Sequence, residues 1–209
     1  FRLEQDEALI NRLGFNNDGL EVVTERLKTG TPRQENILGV NIGPNYDSSS
    51  YKNDFLKCLT NVMQNMLADY VTINISSPNT KNLRDFHDET KLESLMNDIN
   101  KLKKEIADLP IFLKVSPDIE NSSIEKISEI IINKKISGVI LTNTSNTNRS
   151  LLKSLNKQQL GGLSGKPIRE LSTELIKKFY KKLKGKAYII GVGGIDSGKS
   201  AFEKISAGA

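Results

Sequence analysis

Residues 70–80 read Tyr70-Val71-Thr72-Ile73-Asn74-Ile75-Ser76-Ser77-Pro78-Asn79-Thr80. A β-rich run, Tyr70–Ser76, passes directly into a turn of serine, proline and asparagine. Four other runs repeat the arrangement: Leu38–Gly43, Ile111–Ser116, Gly138–Thr144 and Tyr188–Gly193. Several are apolar almost throughout, as expected of parallel strands covered on both faces. Each also ends in polar or glycine-rich sequence, at Asn41 and Gly43, Asn74 and Ser77, Lys114, Asn143, and Gly193-Gly194.

Between these runs lie segments with apolar residues at helical spacing. Phe55, Leu59, Val62 and Met66 form one stripe, and Leu92, Leu95, Ile99, Leu102 and Ile106 a second. Ile124, Ile127 and Ile131 form a third, with Ser122 or Ser123 as the expected N-cap, and Ile168, Leu171, Leu175, Phe179 and Leu183 a fourth. Strand–helix alternation of this kind predicts an α/β fold with a parallel sheet. An open sheet concentrates its site at one switch point, whereas a (β/α)₈ TIM barrel gathers every C-terminal strand end at one mouth. Five successive strands ending in reactive or ligand-binding residues predict the barrel. Five is fewer than eight, so residues 1–209 are expected to be a single barrel domain, incomplete and truncated at both ends. The stretch from Ser145 to Pro167 reads as a long irregular, functional loop.

Composition narrows the class. With 209 residues and 37% hydrophobic content, the chain can bury one sizeable core. The formal charge is +5, but the lysines are scattered over helix faces, as at Lys101, Lys103, Lys104, Lys177, Lys178, Lys181 and Lys182. That distribution marks solvated surface, and no nucleic-acid partner is expected. Cys58 is the only cysteine, which excludes an internal disulfide and a cysteine-based zinc site. No metal site is expected. The one histidine, His87, sits in the polar run Arg84-Asp85-Phe86-His87-Asp88 and reads as a surface-loop residue. No apolar run approaches the length of a membrane span, and no signal-peptide pattern follows Phe1.

The strand ends carry the chemistry. The Asn74 amide offers a paired donor and acceptor, suited to the imide edge of a pyrimidine-dione, and Ser77 adds a hydroxyl on the same rim. A plain strand-to-loop turn would use similar residues. Lys114 stands amid Ile111-Phe112-Leu113 and Val115, where an ammonium is costly unless paired or serving a ligand. Thr142-Asn143-Thr144 adds further amide and hydroxyl groups. Two glycine-rich segments, 161–167 and 191–198, each open into a helix and would let backbone N–H groups approach a phosphate. The second also contains Gly193-Gly194-Ile195-Asp196-Ser197-Gly198-Lys199-Ser200, which fits the P-loop pattern. Only nine residues follow it, leaving no room for the later strand whose aspartate would help hold Mg²⁺.

In order and spacing, Asn11–Asn16, Gly39–Gly43, Asn74–Thr80, Lys114, Thr142–Thr144, Gly162–Gly165 and Gly191–Gly194 resemble the quinone-linked class of dihydroorotate dehydrogenases, over nearly the whole chain. The resemblance implies FMN across the barrel mouth, oxidation of dihydroorotate to orotate in pyrimidine synthesis, and electron transfer to a membrane quinone. Ser77 matches the serine base of that class; the soluble class has cysteine there. Asn11, Arg12, Leu13, Gly14, Phe15, Asn74, Ser77, Asn79, Asn143 and Thr144 match substrate-contacting positions. Asn41, Asn74, Lys114, Thr142, Ser164, Gly165, Gly193 and Gly194 match flavin-contacting ones. Leu13 and Pro44 depart from the usual residues. The resemblance also implies association with a bacterial inner membrane or the mitochondrial inner membrane through a segment absent from this chain. A soluble-class dihydroorotate dehydrogenase with another acceptor is the first alternative, and three others stand beside it. One is an RNA-binding flavin barrel of the dihydrouridine synthase type, which would present a cysteine where this chain has serines. The others are a P-loop nucleotide-binding protein and a barrel retained only as a scaffold.

Overall fold

The computed structural model describes residues 1–30, 36–45, 47–80, 83–147 and 149–209. The chain opens with a hairpin, β1 (Arg2–Leu3) and β2 (Ala8–Asn11), followed by α1 (Leu20–Thr29). Strand and helix then alternate: β3 (Gly39–Ile42), α2 (Tyr51–Gln64), β4 (Tyr70–Asn74), α3 (Glu89–Glu105), β5 (Ile111–Val115), α4 (Asn121–Asn133) and β6 (Gly138–Leu141). After a long connection come β7 (Gly162–Gly165), α5 (Arg169–Leu183), β8 (Tyr188–Gly191) and α6 (Gly198–Ser206).

Among the described residues the five expected runs form one parallel sheet, in the order β3-β4-β5-β6-β8. Its register sets Asn41 beside Thr72, and Asn74 beside Lys114, which in turn neighbours Ile140. Side chains alternate across a strand, so the two faces differ. Ile42, Val71, Ile73, Leu113, Val115, Val139 and Leu141 belong to the main core with buried residues of α2 to α5. Asn41, Thr72, Asn74, Phe112, Lys114 and Ile140 fall at the alternate positions, on the face away from those helices. Tyr70 and Phe112 meet edge to face there, with ring centroids 5.4 Å apart. A parallel sheet with helices on one face and packed rings with polar groups on the other is part of a (β/α)₈ barrel.

The helices follow their stripes with two corrections. Met66 lies beyond the end of α2, with left-handed backbone and 79% of its surface exposed; Met63 takes the buried place instead. Neither Ser122 nor Ser123 caps α4. That helix begins at Asn121 with Glu120 in the cap position and no side-chain cap hydrogen bond, so both serines lie inside its first turn. The caps of α2 and α3 are ordinary ones: Ser50 accepts from the Asn53 amide, and Asp88 from the Lys91 amide.

A second sheet was not expected. Strands β1, β2 and β7 pair antiparallel, with Leu9 opposite Ser164 and Ile10 opposite Leu163. The stretch from 145 to 167 is therefore only partly irregular. Leu3, Ala8, Ile10, Leu152, Leu163 and Ile168 form a small core beneath this sheet. Side chains tie the connection down. Asp6 accepts hydrogen bonds from the Lys153 and Ser154 amides, and the Arg149 guanidinium donates to the carbonyls of Lys157, Gln159 and Gly161.

Candidate active site

The exits of β4 and β6 meet through hydrogen bonds. Asn74 Oδ1 accepts from the Ser76 amide at 3.2 Å, from Ser76 Oγ at 3.0 Å and from Asn143 Nδ2 at 3.2 Å. Asn143 Nδ2 also donates to Ser76 Oγ at 3.0 Å, and Asn143 Oδ1 accepts from the Thr144 amide at 2.8 Å. With its oxygen fully engaged, Asn74 has an amide nitrogen that donates to none of the described residues, leaving two N–H groups for a ligand.

Ser77 lies one step further out and is 6% exposed. Its Oγ accepts from the Asn79 amide and from Thr80 Oγ1, both at 3.3 Å. Neither bond consumes the Ser77 hydroxyl proton. Asn79 Nδ2 reaches across to the Asn11 carbonyl at 3.3 Å, joining the β4 exit to the end of β2. From there Arg12 to Phe15 line, with Asn41, Pro44, Asn79 and Thr80, a cleft of about 770 Å³ that runs back between α1 and α2 past Thr24, Cys58 and Val62; Ser77, Asn74, Asn143 and Lys114 do not line it. Leu13 is on the rim, largely in solvent, and Asn41 is exposed on the edge strand. Thr144 packs close to Gly162 of β7 and Pro78 lies nearby, so the second sheet borders the same mouth.

Lys114, next to Asn74 in the register, forms no hydrogen bond or ion pair with the described residues. Burial lowers its pKa from the ordinary lysine value. A half-buried ammonium without a protein partner is costly, and a bound electron-rich or anionic group would offset that cost.

The two glycine-rich segments come together. A Cβ on Gly194 (φ +69°) would meet Arg169 Cβ at 2.7 Å and the Gly165 carbonyl at 3.0 Å. Gly165 (φ +99°) faces the Glu7 carbonyl, which a Cβ would approach to 2.4 Å. Both positions combine left-handed backbone with close approach, so glycine is required at each. Arg169 braces the pair, donating from Nε to the Gly194 carbonyl at 2.7 Å and pairing with Asp196. Lys204 of α6, 2% exposed, donates to the Arg169 carbonyl and to Thr173 Oγ1, each at 2.8 Å. Neither the turn at Lys166–Ile168 nor the start of α5 has a side-chain cap, which suits an anion at that helix start. Ser164 and Gly193 flank these glycines; Ser164 Oγ reaches the Leu9 carbonyl at 3.4 Å. Thr142 is buried, with its hydroxyl donating to the Asn143 carbonyl at 2.8 Å.

The start of α6 is built differently. Ser197 accepts from the Ser200 amide in a reciprocal capping box, and Ser200 Oγ receives the Asp196 and Ser197 amides while donating to Asp196. A P-loop needs this hydroxyl for Mg²⁺ and these amides for phosphate, so its local structure is incompatible with that role.

His87 is not the surface-loop residue expected. His87 closes a 3₁₀ turn at Leu83–His87, is half-buried, and has its Nε2 enclosed without a hydrogen-bond partner. Burial, and secondarily the Arg84 charge, push its pKa down to about 4. Ser76 and Thr80 bond directly to expected site residues but were not singled out. Both stand inside the Asn74–Thr80 run, and a hydroxyl's partner cannot be read from sequence.

The sequence profile of the dihydroorotate dehydrogenase family matches residues 1–209. Dihydroorotate dehydrogenase (quinone) of Wigglesworthia glossinidia brevipalpis is 46% identical over 211 residues, covering 97% of this chain and 61% of the relative. The proteins of the same name from Shewanella halifaxensis and Bradyrhizobium sp. (strain BTAi1) are 42% and 38% identical, over the whole chain and 62% and 58% of their own lengths. A crystal structure of DHODH from Eimeria tenella in complex with ferulenol superposes with a TM-score of 0.93 at 33% identity, covering all of this chain and 62% of that one. The chain thus spans about three fifths of the length of the curated relatives it matches. It belongs to the dihydroorotate dehydrogenase family.

Proposed function

We propose that this chain is the central part of an FMN-dependent enzyme that oxidises dihydroorotate to orotate and delivers the electrons to a membrane quinone. The observation that carries the proposal is the meeting, on neighbouring strand ends, of the Ser77–Thr80 hydroxyl pair with two groups that have no partner among the described residues, the Asn74 amide nitrogen and the Lys114 ammonium. The shared printed name of the relatives supports the quinone as acceptor. Association with a membrane surface follows from a lipid-soluble acceptor; among the described residues no helix is long and apolar enough to cross a membrane.

FMN, when bound, would supply the redox chemistry by taking a hydride from the substrate ring. Lys114, Asn74, Asn41 and Thr142 would hold its ring, and Gly165, Gly193, Gly194 and Ser164 its phosphate. Their fit rests on the partnerless Lys114 and on backbone at Gly165 and Gly194 that no side chain could share. Asn11, Asn79, Asn143 and the 12–15 segment with Thr144 would orient dihydroorotate.

Ser77 would remove the proton from the substrate carbon next to the ring carbonyl. A hydroxyl is a weak base and needs an outlet for the proton it gains. Thr80, 3.3 Å away, relays that proton once the pair reverses so that Ser77 donates, and Thr80 releases its own proton to solvent water. Lys114 would offset the negative charge left on the reduced ring. A visible absorption spectrum of the full-length protein tests the whole proposal. It should show oxidised flavin that bleaches under dihydroorotate in the absence of oxygen. A colourless protein, or a flavin indifferent to dihydroorotate, overturns it.

A further inference from the structure

Asp118 is a buried carboxylate just past the end of β5, with a side chain 6% exposed. Three hydrogen-bond donors from the segment after β6 converge on it, and Arg84 forms an ion pair with it. Oδ1 accepts from Ser145 Oγ at 2.6 Å and Thr147 Oγ1 at 2.9 Å, and Oδ2 from the Asn146 amide at 2.8 Å. Arg84 Nη1 pairs with Oδ2 at 3.2 Å. The first three groups directly follow Asn143 and Thr144. Arg84 lies in the 3₁₀ turn at Leu83–His87, seven residues after Ser77 in sequence. Asp118 therefore ties the segment after β6 to the 3₁₀ turn that follows β4, while the Asn74–Asn143 bonds join the two strand exits directly. The other side of the 143–147 segment is held by a bridge to β7, with Ser145 and Leu163 exchanging backbone hydrogen bonds of 3.0 and 2.7 Å.

We infer that Asp118 is a positioning residue, an acceptor hub that fixes the Asn143–Thr144 substrate wall against the loop bearing Ser77. The inference rests on the proposed substrate site. A carboxylate is needed because both oxygens receive donors, and bonds to a charged acceptor are stronger than neutral ones. Asparagine would turn an N–H₂ group toward one pair of donors and release it. Arg84 would then lose its Asp118 acceptor, while its Nε and Nη2 are enclosed without partners among the described residues.

The test uses the full-length flavoprotein carrying Asp118→Asn, with Thr147→Val as a milder variant that removes one donor from an exposed position. Three quantities are read: flavin content, orotate affinity from the flavin difference spectrum, and KM against kcat for dihydroorotate. Asp118→Asn should keep its flavin, weaken orotate binding and raise KM by about tenfold or more, and change kcat less than about threefold. Thr147→Val should move in the same direction by about two- to threefold. Amide exchange at 143–147 should speed up in both variants, with the five-stranded sheet unchanged. Unaltered orotate affinity in both overturns the positioning role, as does a parallel loss of flavin, kcat and sheet protection in both. A wild-type protein that holds flavin but ignores orotate overturns the substrate assignment as well.

Discussion

The reactivity of Ser77 depends on its immediate neighbours, because little solvent reaches it and Asn79 and Thr80 supply the contacts to its oxygen. Ser77→Ala should retain flavin and orotate, since the amide contacts survive, yet lose roughly 10²- to 10⁴-fold in turnover near neutral pH, the usual worth of a positioned base. Ser77→Cys should recover part of that activity as pH approaches about 8.5 and thiolate forms. Near-normal turnover in the alanine variant would remove Ser77 from the mechanism. Lys114→Ala deletes the positive charge beside the proposed flavin site, so under that proposal reduced flavin loses a stabilising partner. Its potential should fall by roughly 30–60 mV, one to two decades in a two-electron reduction constant, and flavin binding should weaken. A potential equal to wild type would make Lys114 structural. These residues were legible because each breaks the apolar pattern of a strand at its end. Asp118 was not, since Ser116-Pro117-Asp118 reads as an ordinary turn and its partners lie 27 to 34 residues away in sequence.

At the level of elements, the parallel strands and their helices were legible because long apolar runs and 3.6-residue stripes are local signals. Strands β1, β2 and β7 were not. In Ala8-Leu9-Ile10 every residue is apolar, so the burial alternation of β2 leaves no trace in polarity, and β7 is Gly-Leu-Ser-Gly, poor strand sequence held by a partner about 150 residues away. The turn at Leu83–His87 was hidden too, because burial of its polar residues comes from packing such as the Phe55–Phe86 edge-to-face contact at 5.7 Å. That burial has a pH consequence. With a folded pKa of about 4 against 6.5 for free histidine, His87 takes up its proton more readily in the unfolded chain. Its contribution to stability is complete above pH 6.5 and is lost as pH falls toward 4, amounting to about 2 kcal/mol by pH 5. His87→Gln should flatten this dependence. The check is denaturant unfolding of the full-length protein and the variant at pH 7 and pH 5; equal losses for both would exclude His87 as the cause.

At the scale of the molecule, burial grades across the sheet. Interior β6 is buried throughout and β4 and β5 nearly so, whereas edge strand β8 has no buried residue and edge strand β3 only Ile42. Tyr188 on β8 is 76% exposed, and α6 beside it shows Phe202 and Ile205 to solvent at 67% and 62%. A closed barrel has no such gradient, because every strand has two neighbours and every interior position is covered. The backbone groups along the free sides of β3 and β8 are unpaired within the five-stranded sheet, a template for association with other chains. The relatives, about two thirds longer again than the stretch they share with this chain, have residues enough for the three further strands that eight requires. Residues 1–209 produced alone should therefore be poorly soluble, free of flavin and inactive. A polypeptide extended to the length of the relatives should be soluble and yellow. Size-exclusion chromatography with absorbance read at the flavin band distinguishes the two. A monomeric, yellow protein made from residues 1–209 alone would show that the five-stranded sheet closes its own edges, and the (β/α)₈ count would have to be abandoned.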